Sequence, residues 1–188
     1  PEDNSDKTEI IARISKMYQQ LKKDDKDINE LYKAGGEWDH YISERQSFYD
    51  DLLNENHDGA IEVLSNFWRN KLGPIVKEYA KYEQLVNKET EFVERFVARV
   101  AKNYLIWKEL YGADISELQV PNVGNQWGLL IDGQLVVPKA TRYHAHAQQV
   151  KNLTIDVDNP VFAEIGAGYT GMANFMIRDI PNLTYVDF

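Results

Sequence analysis

Residues 164–171, Glu-Ile-Gly-Ala-Gly-Tyr-Thr-Gly, constrain the fold of this chain more than any other stretch. The apolar run Val161-Phe162-Ala163 enters them, and a helix-compatible run from Met172 to Arg178 leaves them. G-x-G-x-x-G between a strand and a helix is the context in which the pattern carries information. Glycines let the backbone turn tightly and approach a ligand without an obstructing Cβ. The helix that follows aims its unpaired N–H groups at whatever occupies the loop. The pattern predicts a strand over Val161–Ile165, a helix over Gly171–Asp179 and a second strand over Leu183–Phe188. Together they predict a pocket for a nucleotide-type cofactor.

Two acids narrow the ligand. Asp187 closes the second predicted strand, 21 positions after Gly166. A carboxylate there reaches ribose hydroxyls in dinucleotide sites. Glu164 ends the first strand, two residues before the first glycine. Burying a carboxylate is costly unless it meets a cation or several donors, and a ligand ammonium group would supply a cation. Thr170 stands where its hydroxyl can cap the helix. A nicotinamide dinucleotide would bring a pyrophosphate to this loop, and Glu164 would repel it. S-adenosylmethionine brings a zwitterionic methionine end, a sulfonium and an adenosine, and suits an acid at each strand end. Glu164 as a plain surface acid is the bland alternative.

Ala163 to Gly171 resembles motif I of class I S-adenosylmethionine-dependent methyltransferases. The tyrosine inside the glycine loop, Tyr169, and the later Tyr185-Val186-Asp187 resemble the putative sugar O-methyltransferase family. Arg142-Tyr143-His144 followed by Gln148-Gln149 is similar to an Arg-aromatic pattern in that family's preceding helix. The resemblance covers roughly residues 127–188. It implies that Glu164 lies near the methionine amino end, that Gly166, Ala167, Gly168, Tyr169 and Gly171 form the cofactor loop, and that Asp187 holds the ribose hydroxyls. Arg142 and Tyr143 become candidates for substrate or cofactor contact. Thr170 departs from the family, where a glycine is expected. The implied reaction moves a methyl group from sulfonium to a sugar or glycan-precursor hydroxyl, which needs alignment and removal of a hydroxyl proton.

His144 and His146 are the histidines nearest the loop in sequence, and histidine titrates near neutrality, so either is a candidate base. Other base positions are expected beyond residue 188. As a metal pair the two fail, because residues two apart on a helix do not share a face. No metal site is expected. Arg142 has an alternative as an ordinary salt-bridge partner. Trp68 and Trp107 fall on apolar stripes and read as core, while Trp38 and Trp127 stand beside glycines in breaks and remain open to ring stacking.

The region before the loop reads differently. Ile10, Ile11, Ile14, Met17, Tyr18 and Leu21 recur at three- and four-residue spacing, one face of an amphipathic helix. A short second helix is expected at Ile28–Tyr32, closed by Gly35-Gly36. A third should carry Tyr41 to Leu53, and a fourth, capped by Asp58, should carry Ile61 to Trp68. A long helical stretch follows Gly73-Pro74, divided near Thr90 as a cap and ended by Gly112. Beyond it, Asp132-Gly133 between two apolar runs signals a two-residue hairpin, and residues 139–153 read as a helix.

The expected fold is an α-helical N-terminal region over 1–112, then a hairpin and connecting helix over 113–160. Residues 161–188 are expected to begin a Rossmann-like S-adenosylmethionine-binding domain. The start at Pro1 and the end directly after a strand lead us to expect a piece of an enzyme, inactive by itself, with its oligomeric state open. Two other functions compete: an NAD(P)- or nucleotide-dependent enzyme using the same loop, and a non-enzymatic helical interaction module. Net charge is −9 over 188 residues, and residues 1–60 hold 15 acids against 8 bases. Clustered cations for phosphate binding are missing, which argues against a nucleic-acid partner. No apolar run has membrane-spanning length, and no membrane partner is expected. The absence of cysteine fits a reducing, cytoplasmic setting.

Overall fold

Helical periodicity governs the chain as far as Tyr111, and the change of period after Gly112 brings the strands. A computed structural model describes residues 4–29, 36–73, 76–165, 168 and 171–187. The protein is mixed α/β and mostly helical, with two small sheets among the described residues. The helices are α1 (Asn4–Asp24), α2 (Glu37–Ser43), α3 (Gln46–Leu53), α4 (His57–Ser65), α5 (Val76–Val86), α6 (Thr90–Tyr111), α7 (Ala140–Leu153) and α8 (Gly171–Asp179). The strands are β1 (Leu129–Ile131), β2 (Gln134–Val136), β3 (Val161–Glu164) and β4 (Thr184–Asp187), and a 3-10 turn spans Ile115–Leu118.

The chain forms two compact units, Pro1–Glu83 with Val123–Asn125, and Gln84–Asn122 with Gln126–Phe188. The division between the units falls inside α5, and α6 packs against α7 in the second unit.

In the first unit α1, α3 and α4 surround a core of Ile11, Phe48, Leu52, Ala60 and Val63. The expected third helix is two helices, with Arg45 at the break. Its guanidinium is buried, yet it donates to Gly73 O at 3.0 Å, to Tyr41 O at 2.9 Å and to Glu44 Oε2 at 3.3 Å. These bonds, one of them to a carboxylate, offset the cost of burying the cation. The cap of α4 is Asn56, whose side chain accepts from Gly59 N at 3.4 Å, and Asp58 lies inside the first turn. The second helix expected at Ile28–Tyr32 and its closing Gly35 fall mostly outside the described residues, and Gly36 is the N-cap residue of α2. Residues 123–125 belong here because Trp68 N donates to Gly124 O at 3.1 Å and Arg69 Nε to Asn125 O at 2.9 Å.

In the second unit α6 buries Phe96, Val100, Tyr104 and Trp107, one face at helical spacing. Gly112 ends it in the left-handed conformation at φ 58°, with its N–H bonded to Lys108 O. Glu89 occupies the N-cap position, and Thr90 is the first helical residue. Trp127, open in the sequence, is core: it is buried against Phe96 with ring centroids 5.4 Å apart. The hairpin forms as expected, with Leu129 opposite Val136 and positive φ at both turn residues, 49° at Asp132 and 77° at Gly133. α7 packs along α8. β3 and β4 run parallel with α8 between them in sequence, Val161 opposite Thr184 and Glu164 opposite Asp187.

Candidate functional site

The parallel register places the two expected acids side by side. Glu164 and Asp187 are the last residues of β3 and β4 and are paired directly. Alternation along a strand puts Phe162 and Glu164 on one face of β3, and Tyr185 and Asp187 on the matching face of β4. Phe162 and Tyr185 stack with centroids 5.8 Å apart. The Tyr185 hydroxyl donates to Glu164 Oε2. Burial, that hydrogen bond and the charges of Glu164 and Asp187 all raise the pKa of the phenol, so it remains protonated and a donor. The half-buried Glu164 therefore has a donor within the chain, and a ligand ammonium group is not needed to account for it.

Beyond the strand ends, Gly168 sits at φ 65°, and a Cβ there would have no atom within 4 Å. Gly171 is buried at the first turn of α8. Gly166, Ala167, Tyr169 and Thr170 lie outside the described residues, so the expected loop contacts and the Thr170 cap lie there too. The two carboxylates thus stand together at the C-terminal ends of β3 and β4.

The candidates on α7 are not grouped with that pair. Arg142 is exposed, with its guanidinium 5.6 Å from the centre of the half-buried Tyr143 ring. His146 is exposed. His144 is buried, and its Nδ1 accepts from Trp107 Nε1 at 3.0 Å. Indole nitrogen only donates, so this bond requires a neutral imidazole with its proton on Nε2. Trp107, Tyr111 and Phe175 surround the ring, each edge-on, at 5.4, 5.5 and 5.6 Å. Burial is the main cause of a lowered His144 pKa. Arg178 and Lys151 push the same way, while Asp179 and Glu117 oppose them.

His144 also borders a cleft of about 490 Å³ with Asp114, Glu117, Lys151, Arg178 and Asp179. Arg178 closes part of it, donating to Glu117 O at 3.0 Å, to Glu117 Oε2 at 3.1 Å and to Asp179. Gln148 donates to Asp179 Oδ2 at 2.8 Å. Of the residues that line this cleft, Arg178 and Asp179 stand in the last turn of α8, whereas Gly171 stands in its first. No three acid or histidine side chains among the described residues are grouped to hold a metal ion.

Sequence reasoning missed two partnerships. Tyr185 was reachable, because period-two alternation places it on the Glu164 face. The Trp107–His144 bond joins residues 37 apart and has no local signal. Among the described residues no helix is long and apolar enough to cross a membrane. Comparison with family models, curated proteins and solved structures gave no match.

Proposed function

We propose that residues 161–188 begin a Rossmann-like S-adenosylmethionine site, and that the protein is an O-methyltransferase acting on a sugar hydroxyl. The observation that carries this reading is the in-register pair Glu164 and Asp187 at the ends of parallel strands joined through α8. In open α/β sheets ligands bind outside the carboxyl ends of the strands. Two adjacent carboxylates there favour a ligand with a cationic end and hydroxyls over one with a pyrophosphate. Asp187 would hold the ribose hydroxyls, and Glu164, oriented by Tyr185, would face the methionine amino end. Gly168 would allow close backbone approach. S-adenosylmethionine supplies the methyl group. Neither histidine is proposed as the base: Nδ1 of His144 on α7 is committed to Trp107 of α6, and His146 is exposed. The cysteine-free composition fits a cytoplasmic protein.

The test is titration of the isotopically labelled chain with S-adenosylhomocysteine, and separately with NAD, followed by backbone NMR. Shifts at the amides of Glu164, Gly168 and Asp187 with S-adenosylhomocysteine, reduced at least about tenfold in affinity by Asp187→Asn, are expected. Perturbation of those amides by NAD alone would overturn the reading in favour of a nucleotide-dependent enzyme. Silence with both ligands at millimolar concentration would leave the strand-end acids without a cofactor role.

A further inference from the structure

The apolar sector of α1 is wider than the described residues of its unit cover. Ile11 and Ser15 are buried against the core formed with α3 and α4, and Ile14 and Tyr18 are partly buried beside it. Ile10, Met17 and Leu21 are 53%, 66% and 63% exposed. With Ile14 they fall at spacings of four, three and four residues, the a/d pattern of a helix-pairing seam. Lys7 continues the seam towards the N-terminus, and Asp24 continues it towards the C-terminus.

We propose that α1 pairs antiparallel with α1 of a second copy of this chain. In an antiparallel pair, a-positions meet d-positions. Centred between Ile14 and Met17, that register sets Ile14 against the partner's Met17 and Ile10 against the partner's Leu21. It sets Lys7 against the partner's Asp24, and the two-fold symmetry repeats each contact. The apolar layers are then closed at both ends by opposite charges. A parallel pair would set Lys7 against the partner's Lys7 and Asp24 against the partner's Asp24, so charge selects the antiparallel form. The seam from Lys7 to Asp24 is about 25 Å long. Two such seams bury roughly 1,000 Å² in total, the small end of specific interfaces, so the dimer is reversible with a dissociation constant on the order of 10–100 µM.

Sedimentation equilibrium of the whole chain from about 5 to 500 µM tests this, with circular dichroism to follow helix content. The weight-average mass should rise towards twice the monomer value. Met17→Lys and Leu21→Lys, both at exposed positions, should weaken association at least about tenfold while helix content stays the same. Lys7→Asp should weaken the dimer, and adding Asp24→Lys to it should restore it. A chain that is monomeric throughout, or a dimer indifferent to Met17→Lys and Leu21→Lys, overturns the proposal. A dimer that the seam variants weaken but the charge exchange fails to restore overturns the antiparallel register.

Discussion

Replacing Trp107 with phenylalanine should expose how much the second unit depends on one buried hydrogen bond. Trp107 is 2% exposed and His144 is 3% exposed. Among the described residues the indole N–H is the hydrogen-bond donor to His144 Nδ1, at 3.0 Å. Trp107→Phe leaves that nitrogen buried without a donor, which costs about 1–3 kcal/mol. The smaller ring also leaves a void in contact with Tyr104 and Tyr111, adding about 1–2 kcal/mol. A loss of about 2–5 kcal/mol in urea unfolding at pH 7.5 follows. The second readout is pH. The folded pKa of His144 lies below its ordinary value of 6.5, so the unfolded chain takes up the proton first as pH falls. Its contribution to stability is complete above 6.5 and declines as pH drops from there through the folded pKa. Trp107→Phe frees Nδ1 to accept a proton, so the folded pKa should rise towards 6.5 and this acid loss should shrink. The imidazole Cε1–H resonance of His144 reports the pKa directly, and unfolding at pH 7.5 and 5.5 reports the linkage. A variant within about 0.5 kcal/mol of the parent, with an unmoved His144 titration, would refute the account.

Three shorter predictions concern other positions. Tyr185→Phe should destabilise the chain by about 1 kcal/mol in urea unfolding, because the half-buried Glu164 carboxylate loses the hydroxyl that donates to it. Gly133→Ala should cost about 1 kcal/mol in thermal unfolding, since φ is 77° but the space for a Cβ is open. Gly124→Ala should cost at least about 2 kcal/mol more, because a Cβ there would overlap the Phe67 ring.

Where an element depends on neighbours in sequence, its residues were sufficient to place it. Asp132-Gly133 accepts the positive φ that a two-residue hairpin needs, and the hairpin forms in the expected register. Of the apolar stripe Phe92, Val93, Phe96, Val97, Val100, Tyr104 and Trp107, the residues Phe96, Val100, Tyr104 and Trp107 are buried on one helical face, while Val97 is exposed. The strand–glycine–helix–strand order set out β3, α8 and β4 within a residue or two. The caps were read less well. Asn56 caps α4 in place of Asp58, because several short polar side chains near a helix start compete for one position and backbone geometry chooses among them, whereas Glu89 takes the N-cap position ahead of Thr90 with no side-chain hydrogen bond.

Sequence by itself determined the local conformations: helix periods, the hairpin turn and an acid at the end of each strand. Tertiary structure decided what those conformations face. It brought Glu164 beside Asp187 and gave Glu164 the hydroxyl of Tyr185. It buried Trp127, locked His144 onto Trp107, and left half of the α1 sector exposed. Periodicity reports that a side chain is apolar and which way it points, and it carries no information on which distant surface arrives to cover it. That surface is chosen by packing between elements far apart in the chain, as with Trp107 and His144.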